Sequence, residues 1–292
     1  MHMEKFGRKI PLIFVEKLTR TWYYSIIVCR TDRKAAGRME RIKSAFRAVW
    51  KTVYPLIIYY MSVFSIDEMA SAAGKEPANS VAILIPGAVL TVGILWFPYK
   101  RDWILRSGQI RTIKPEIPKR WQDLIVLGIA ASVGFNLLLS LTPLFRWFPK
   151  VEESVETINS AGFWLQLIGV CLIIPAAEEL VFRGIGYWGL RDEMPAVPAA
   201  VFSAVFFGLF HGNLVQGIYA AGLGLILAFV MERYQTVTSV WLAHAAMNIG
   251  SIYVLNGVLL PMIDHSILLK ILVAIFALGV SAAELFKLGR KT

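Results

Sequence analysis

The sequence predicts an all-α, polytopic membrane protein of about eight transmembrane helices. Three observations carry that expectation. Hydrophobic residues make up 57% of the 292 residues and the mean hydropathy is +0.59, against about 45–50% apolar residues in soluble domains. Apolar runs recur from Val53 to Phe286 with only short gaps. These runs are continuous rather than alternating, which excludes a β-barrel and leaves helices to satisfy the backbone in lipid.

A spanning helix needs about 20 mainly apolar residues. Candidate spans fall at 53–66, 80–97, 123–145, 161–182, 196–211, 214–231, 237–256 and 266–286. The first is short and contains Pro55. The chain divides into a basic segment at 1–52, with an amphipathic stretch suited to the membrane surface, first transmembrane helices at 53–160, a core at 161–256 and a last helix with a basic tail at 257–292. No repeat and no low-complexity tract appears.

Charge orients the spans. Residues 1–51 hold 13 Lys/Arg against 4 Asp/Glu, most of the net charge of +10. The 98–121 loop is also basic, with Lys100, Arg101, Arg106, Arg111, Lys114, Lys119 and Arg120, whereas 67–79 has one Lys and 257–265 none. This alternation places both termini in the cytoplasm, with the plasma membrane as the expected location. The basic segment lacks a stacking platform or recognition motif, so nucleic acid is not an expected partner and anionic lipid is. Within it Met39, Ile42, Phe46, Val49 and Trp50 recur at helical spacing among Arg38, Arg41, Lys43 and Arg47. That pattern fits a helix lying on the membrane or a solvated juxtamembrane helix. The first twenty residues show no signal-peptide pattern. Trp50, Trp96, Trp121, Trp147 and Trp241 fall near span ends, as an interfacial belt requires. Cys29 and Cys171 have no metal-type spacing and imply no disulfide framework.

Against this apolar background a few polar residues stand out. Glu178 and Glu179 interrupt the run from Phe163 to Leu190, and Arg183 follows one turn later. A charged side chain at bilayer depth costs roughly 2.5–3.5 kcal/mol on insertion scales, so such residues are usually functional. Glu179 and Arg183 are i and i+4 with the acid first, the favourable order for an ion pair. Glu178 lies about 100° round the helix and is left to face elsewhere. A carboxylate kept from bulk water suits general-base work near neutral pH. Phe207 and His211 are i and i+4, as are His244 and Asn248 in the run Trp-Leu-Ala-His-Ala-Ala-Met-Asn. A lone membrane histidine often makes only a helix–helix hydrogen bond, and two acids can simply mark the inner end of a span. Several such groups on three neighbouring helices argue for chemistry instead.

The ordered pattern EExxxR (Glu178, Glu179, Arg183), FxxxH (Phe207, His211) and HxxxN (His244, Asn248), each on its own helix, resembles the CAAX-protease and bacteriocin-processing family, also called the Abi or type II CAAX prenyl protease family. The resemblance covers about 161–256 and implies an intramembrane endopeptidase core. It implies that Glu178 activates water and His211 orients it. His244 and Asn248 then donate to the oxyanion, while Arg183 fixes Glu179. The family is often labelled metalloprotease. Glu178, His211 and His244 are the residues expected to hold zinc if a metal takes part, but with HExxH absent no cofactor is expected. The implied substrate is a membrane-associated peptide or protein, with prenylated CAAX chains as one class.

Two other readings of the same residues remain: a proton-coupled carrier, since buried Glu, Arg and His also build relays, and a non-catalytic immunity or scaffold protein. No paired half-sequences suggest the repeats of a carrier, and the GxSG and GxGD motifs of other intramembrane proteases are absent. A tension of depth remains. With straight spans Glu178 lies near the inner side and His211 toward the outer, too far apart at about 1.5 Å per residue to share one water. Short, tilted or broken helices around a hydrated cavity are therefore expected, with bends at Pro175, Gly184, Gly186 and Gly189.

Overall fold

Every regular element among the described residues is a helix, as continuous apolar sequence requires. The structure, a computed structural model, describes residues 38–74, 81–109, 120–148 and 156–290. Most of the basic N-terminal segment lies outside them. The principal helices are α1 (Arg38–Ala72), α2 (Val81–Gln109), α3 (Trp121–Ser140), α4 (Leu165–Arg191), α5 (Ala196–Phe210), α6 (Leu214–Tyr234), α7 (Val237–Ile263) and α8 (Ile267–Gly289). Seven are long and apolar enough to cross a membrane; α5 is not.

Three expectations are corrected. The weak candidate at 53–66 is part of α1, which runs 35 residues through Pro55. The stretch from Arg38 to Thr52 is thus continuous with the first span, as the juxtamembrane reading of that stretch expects. The candidate at 196–211 is the short one. Its 15 residues rise only about 22 Å at 1.5 Å each, against a hydrocarbon core of about 30 Å. The fourth span ends at Arg191, not near 182, so Glu178 lies midway along its helix and not at an inner edge.

Length and flanking caps explain the later helices. Asn213 caps α6 by accepting from the Gln216 amide at 2.8 Å, and Gln235 ends it with φ +57°. Thr236 caps α7 and Ser266 caps α8 in the same manner, through the amides of Ser239 and Leu269. α5 and α6 form a hairpin whose turn includes Gly212 at φ +73°. The two helices meet closely at Gly208 and Gly217: a Cβ on Gly208 would stand 2.5 Å from the Gly217 carbonyl oxygen. Small residues permit such approaches where lipid offers no hydrophobic drive between helices.

α4 is the central helix. All residues from Ala177 to Tyr187 are buried, which is why its sequence is apolar all round. It is not a simple α-helix: Leu165–Ile173 and Leu180–Tyr187 are π-helical, with an α-helical turn, Ile174–Glu179, between them. Pro175 stands where the first π segment gives way, since it has no N–H to continue the ladder. α7 has the same character from Gly250 to Leu259. The expected bends of the core are therefore changes of helical pitch. α8 and α7 flank α3, and α1 and α2 pair and lean on α4. α8 turns Ile267, Leu268, Leu272, Ile275 and Phe276 outward, a lipid-facing surface.

Candidate active site

The turn Ile174–Glu179 carries both acids into the centre of the bundle. Arg183, one turn on, donates from Nη1 to Glu179 Oε1 at 2.9 Å, and neither side chain has any exposed surface. Its Nη2 donates to the Gly224 carbonyl of α6 at 3.1 Å, and its guanidinium lies 4.3 Å over the Phe207 ring of α5. The predicted pair is thus present, and it ties three helices together. Breaking such a buried pair by removing one partner typically costs about 3–5 kcal/mol.

His244 of α7 stands between the two acids. Its Nδ1 is 2.6 Å from Glu179 Oε1, and its Nε2 is 3.7 Å from Glu178 Oε2. The motif spacing gave no sign that Glu179 holds His244 as well as Arg183. A carboxylate on one ring nitrogen fixes the orientation of the imidazole and leaves the other nitrogen for chemistry. Glu178 itself is nine-tenths buried and makes no hydrogen bond among the described residues. Two carboxyl groups and one guanidinium thus meet here, with the His244 ring between the two acids.

His211 is the C-cap of α5. Its Nδ1 faces the Phe207 carbonyl at 2.8 Å. A carbonyl only accepts, so Nδ1 carries the proton and Nε2 keeps its lone pair. Phe207 lies edge-on to both histidines, with centroids 4.8 Å from His211 and 5.6 Å from His244. The early end of α5 removes the tension of depth, because the helix stops beside the acids instead of crossing past them. Irregular backbone at such depth is tolerated only where protein covers it or water fills a cavity.

Asn248 is placed differently. Its Nδ2 donates to the Val170 carbonyl at 2.8 Å and makes no hydrogen bond to the other three predicted residues. Trp241, on the same face of α7, donates from Nε1 to the Leu172 carbonyl at 2.8 Å. Both carbonyls belong to the first π segment, whose backbone bonds are displaced from the α pattern. Trp241 was expected in the interfacial belt. It is half-buried and bonded to protein instead, unlike Trp50, Trp96, Trp121 and Trp147, which are exposed. Nothing in its sequence position distinguishes it from those four.

In the arrangement described, Glu178, His211 and His244 are not grouped around one point. Among the described residues no three His, Cys, Asp or Glu side chains are grouped to hold a metal ion. Glu178 and His244 face each other, and Phe207 packs edge-on against both His244 and His211.

Fold and sequence together define a multi-pass helical membrane protein with a buried Glu–His–Arg centre. Residues 160–250 match the family model described as type II CAAX prenyl endopeptidase Rce1-like, and this segment holds all three motifs. The resemblance read from those motifs is borne out. The chain is also 25% identical over 121 residues to the protein named "Putative membrane peptidase YdiL" of Bacillus subtilis (strain 168). That match covers 41% of this chain and 47% of the relative, so the chain spans about half the length of the relative it matches. No solved structure matches.

Proposed function

We propose that this chain is an integral-membrane endopeptidase that hydrolyses peptide bonds of membrane-associated proteins or peptides with water activated at Glu178. One observation carries the reading. Glu178 is buried at bilayer depth, has no hydrogen-bond partner among the described residues, and faces the His244 Nε2 at 3.7 Å. A structural acid at this depth is paired, as Glu179 is. The family match and the relative's name support the same reading.

In this mechanism Glu178 takes a proton from water as the water oxygen attacks the peptide carbonyl carbon. His211 holds that water through its Nε2 lone pair. His244, oriented by Glu179 through Nδ1–H, donates to the oxyanion from Nε2–H as the imidazolium. Asn248 has one amide hydrogen on Val170 and a second to offer the oxyanion. Loss of one such donor typically costs about 10²–10³ in rate. On collapse, the proton held by Glu178 passes to the amide nitrogen, the C–N bond breaks, and the new carboxyl and amine termini leave. No metal is required by these steps.

We further place both termini in the cytoplasm and the protein in the plasma membrane. Contacts at one face support a shared side for the termini. Glu193, just past α4, binds Arg47 near the start of α1; Glu232 at the end of α6 binds Tyr187 and Arg191 of α4; Arg233 binds the Leu288 carbonyl at the end of α8. The Lys/Arg excess of residues 1–51 supports a cytoplasmic side for that face and anionic lipid as its partner.

The test is cleavage in proteoliposomes of a farnesylated CAAX peptide and of an unmodified hydrophobic peptide. Wild type is expected to cleave at least one. The Glu178→Ala variant, inserted and monodisperse, is expected to cleave neither, and an active alanine variant refutes the assignment. Activity is also expected to survive exhaustive chelation. Stoichiometric zinc lost together with activity overturns the metal-free mechanism.

A further inference from the structure

Tyr59 of α1 lies outside the segment matched by the family model, yet it reaches the same centre. Only 4% of its surface is exposed. Its ring packs edge-on against Phe210 at 5.2 Å, and Phe210 packs against His211 at 5.9 Å and Phe182 at 5.2 Å. Phe182 follows Glu178 by one turn on α4, so Tyr59 of α1 and the helix that carries Glu178 meet at Phe210.

Neither the Tyr59 hydroxyl nor the Glu178 carboxylate has a hydrogen-bond partner among the described residues. Both are nevertheless not sealed. The unpaired side-chain atoms that are wholly enclosed are Asp123 Oδ2, Glu179 Oε2, Arg183 Nε and the Tyr219 hydroxyl. Absent from that set, the polar tips of Tyr59 and Glu178 retain contact with accessible space although both residues are more than nine-tenths buried. Buried polar groups are satisfied by protein or by ordered water. Two such tips, on helices that meet at Phe210 beside His211 and each unsatisfied by protein, mark a space suited to a water that bonds to both.

Building on the peptidase reading, we propose that Tyr59 is a water-positioning residue: its hydroxyl bonds the water that Glu178 activates, so that α1 completes the water-binding set begun by α4 and α5. The hydroxyl supplies what the two other groups lack. The Glu178 carboxylate and the His211 Nε2 both accept hydrogens from the water, and the phenol donates one to the water's oxygen. This leaves one oxygen lone pair to point at the substrate carbonyl. Without that donor the water rotates, and misplacement of a reacting atom by about 1 Å costs on the order of 10²-fold in rate.

The experiment uses the full chain in proteoliposomes with the two peptides above. Tyr59→Phe keeps the ring and its contact with Phe210 but removes the donor. Its kcat is expected to fall about 10–100-fold with KM within about twofold, and its pH–rate profile to shift. Tyr60→Phe, a change on the exposed neighbour, serves as the control. A wild-type kcat for Tyr59→Phe overturns the proposal. A second readout needs no activity. In a Cys29→Ser/Cys171→Ala background, Tyr59→Cys is expected to react with a small hydrophilic methanethiosulfonate at least about tenfold faster than Leu95→Cys, a fully buried position on α2. Equal, slow labelling at both positions overturns the hydrated contact. If wild type cleaves neither peptide, the peptidase reading fails, and the labelling still decides whether Tyr59 borders water.

Discussion

α4 carries one pair of neighbouring acids at its middle, Glu178–Glu179, and a second pair, Asp192–Glu193, follows its last residue. The second pair is saturated. Asp192 takes Arg106 at 2.5 and 2.6 Å and Lys51 at 3.5 Å, while Glu193 takes Arg47 at 2.8 Å and the Ser44 hydroxyl. Basic groups outnumber acids there, and the ends of α1, α2 and α4 are joined. The first pair is buried and outnumbers its one arginine, and the acid left over is Glu178. Acids that build structure have their partners supplied. On the proposed reading, an acid buried in the bundle without a hydrogen-bond partner from the protein is placed for a reaction.

Substitution can break this comparison at several points. The largest effect on stability is expected at Arg183. Arg183→Leu strands the Glu179 carboxylate and should lower stability by about 3–5 kcal/mol, read as loss of monodisperse protein and a lower Tm in detergent. Arg183→Leu with Glu179→Leu should recover part of that loss; a double variant no more stable than the single one contradicts the pairing. Gly208→Ala presses a Cβ toward the Gly217 carbonyl and should separate the α5–α6 hairpin. It is expected to cost about 1–3 kcal/mol and to lower cleavage as His211 moves, whereas unchanged activity argues against the hairpin's role. Trp241→Phe removes one hydrogen bond to the first π segment, worth about 1 kcal/mol. Its cleavage rate should fall more than its Tm suggests, because that segment sets the position of both acids. The smallest effect belongs to the saturated pair. Asp192→Asn should change stability by no more than about 1 kcal/mol, less at high salt, and leave cleavage near wild type. A collapse of activity there would place the second pair in the chemistry and erase the contrast.

Much of this was legible in the sequence. Continuous apolar runs gave the helices, and the i, i+4 spacings gave the Glu179–Arg183 pair. Spacing on separate helices pointed to one centre without revealing its wiring. That Glu179 also grips His244 depends on the register between α4 and α7, which no local pattern encodes. The π segments were invisible because their local composition is ordinary helix-forming apolar sequence, and the carbonyls of the first are held by Trp241 and Asn248 from a distant helix. The shortness of α5 was hidden for the same reason: its 15 residues are apolar throughout, and the chain simply turns at Gly212. Tyr59 belongs to no motif and gains its place only by packing on Phe210.

The most direct measurement is the cleavage rate of Glu178→Gln beside Asp192→Asn, in one proteoliposome preparation and at matched protein. Glutamine keeps the shape of Glu178 and removes its basicity. The account predicts a rate at least about 10³-fold below wild type for Glu178→Gln, within the range lost with a general base, and a near-normal rate for Asp192→Asn. Cleavage by Glu178→Gln at the wild-type rate would contradict it.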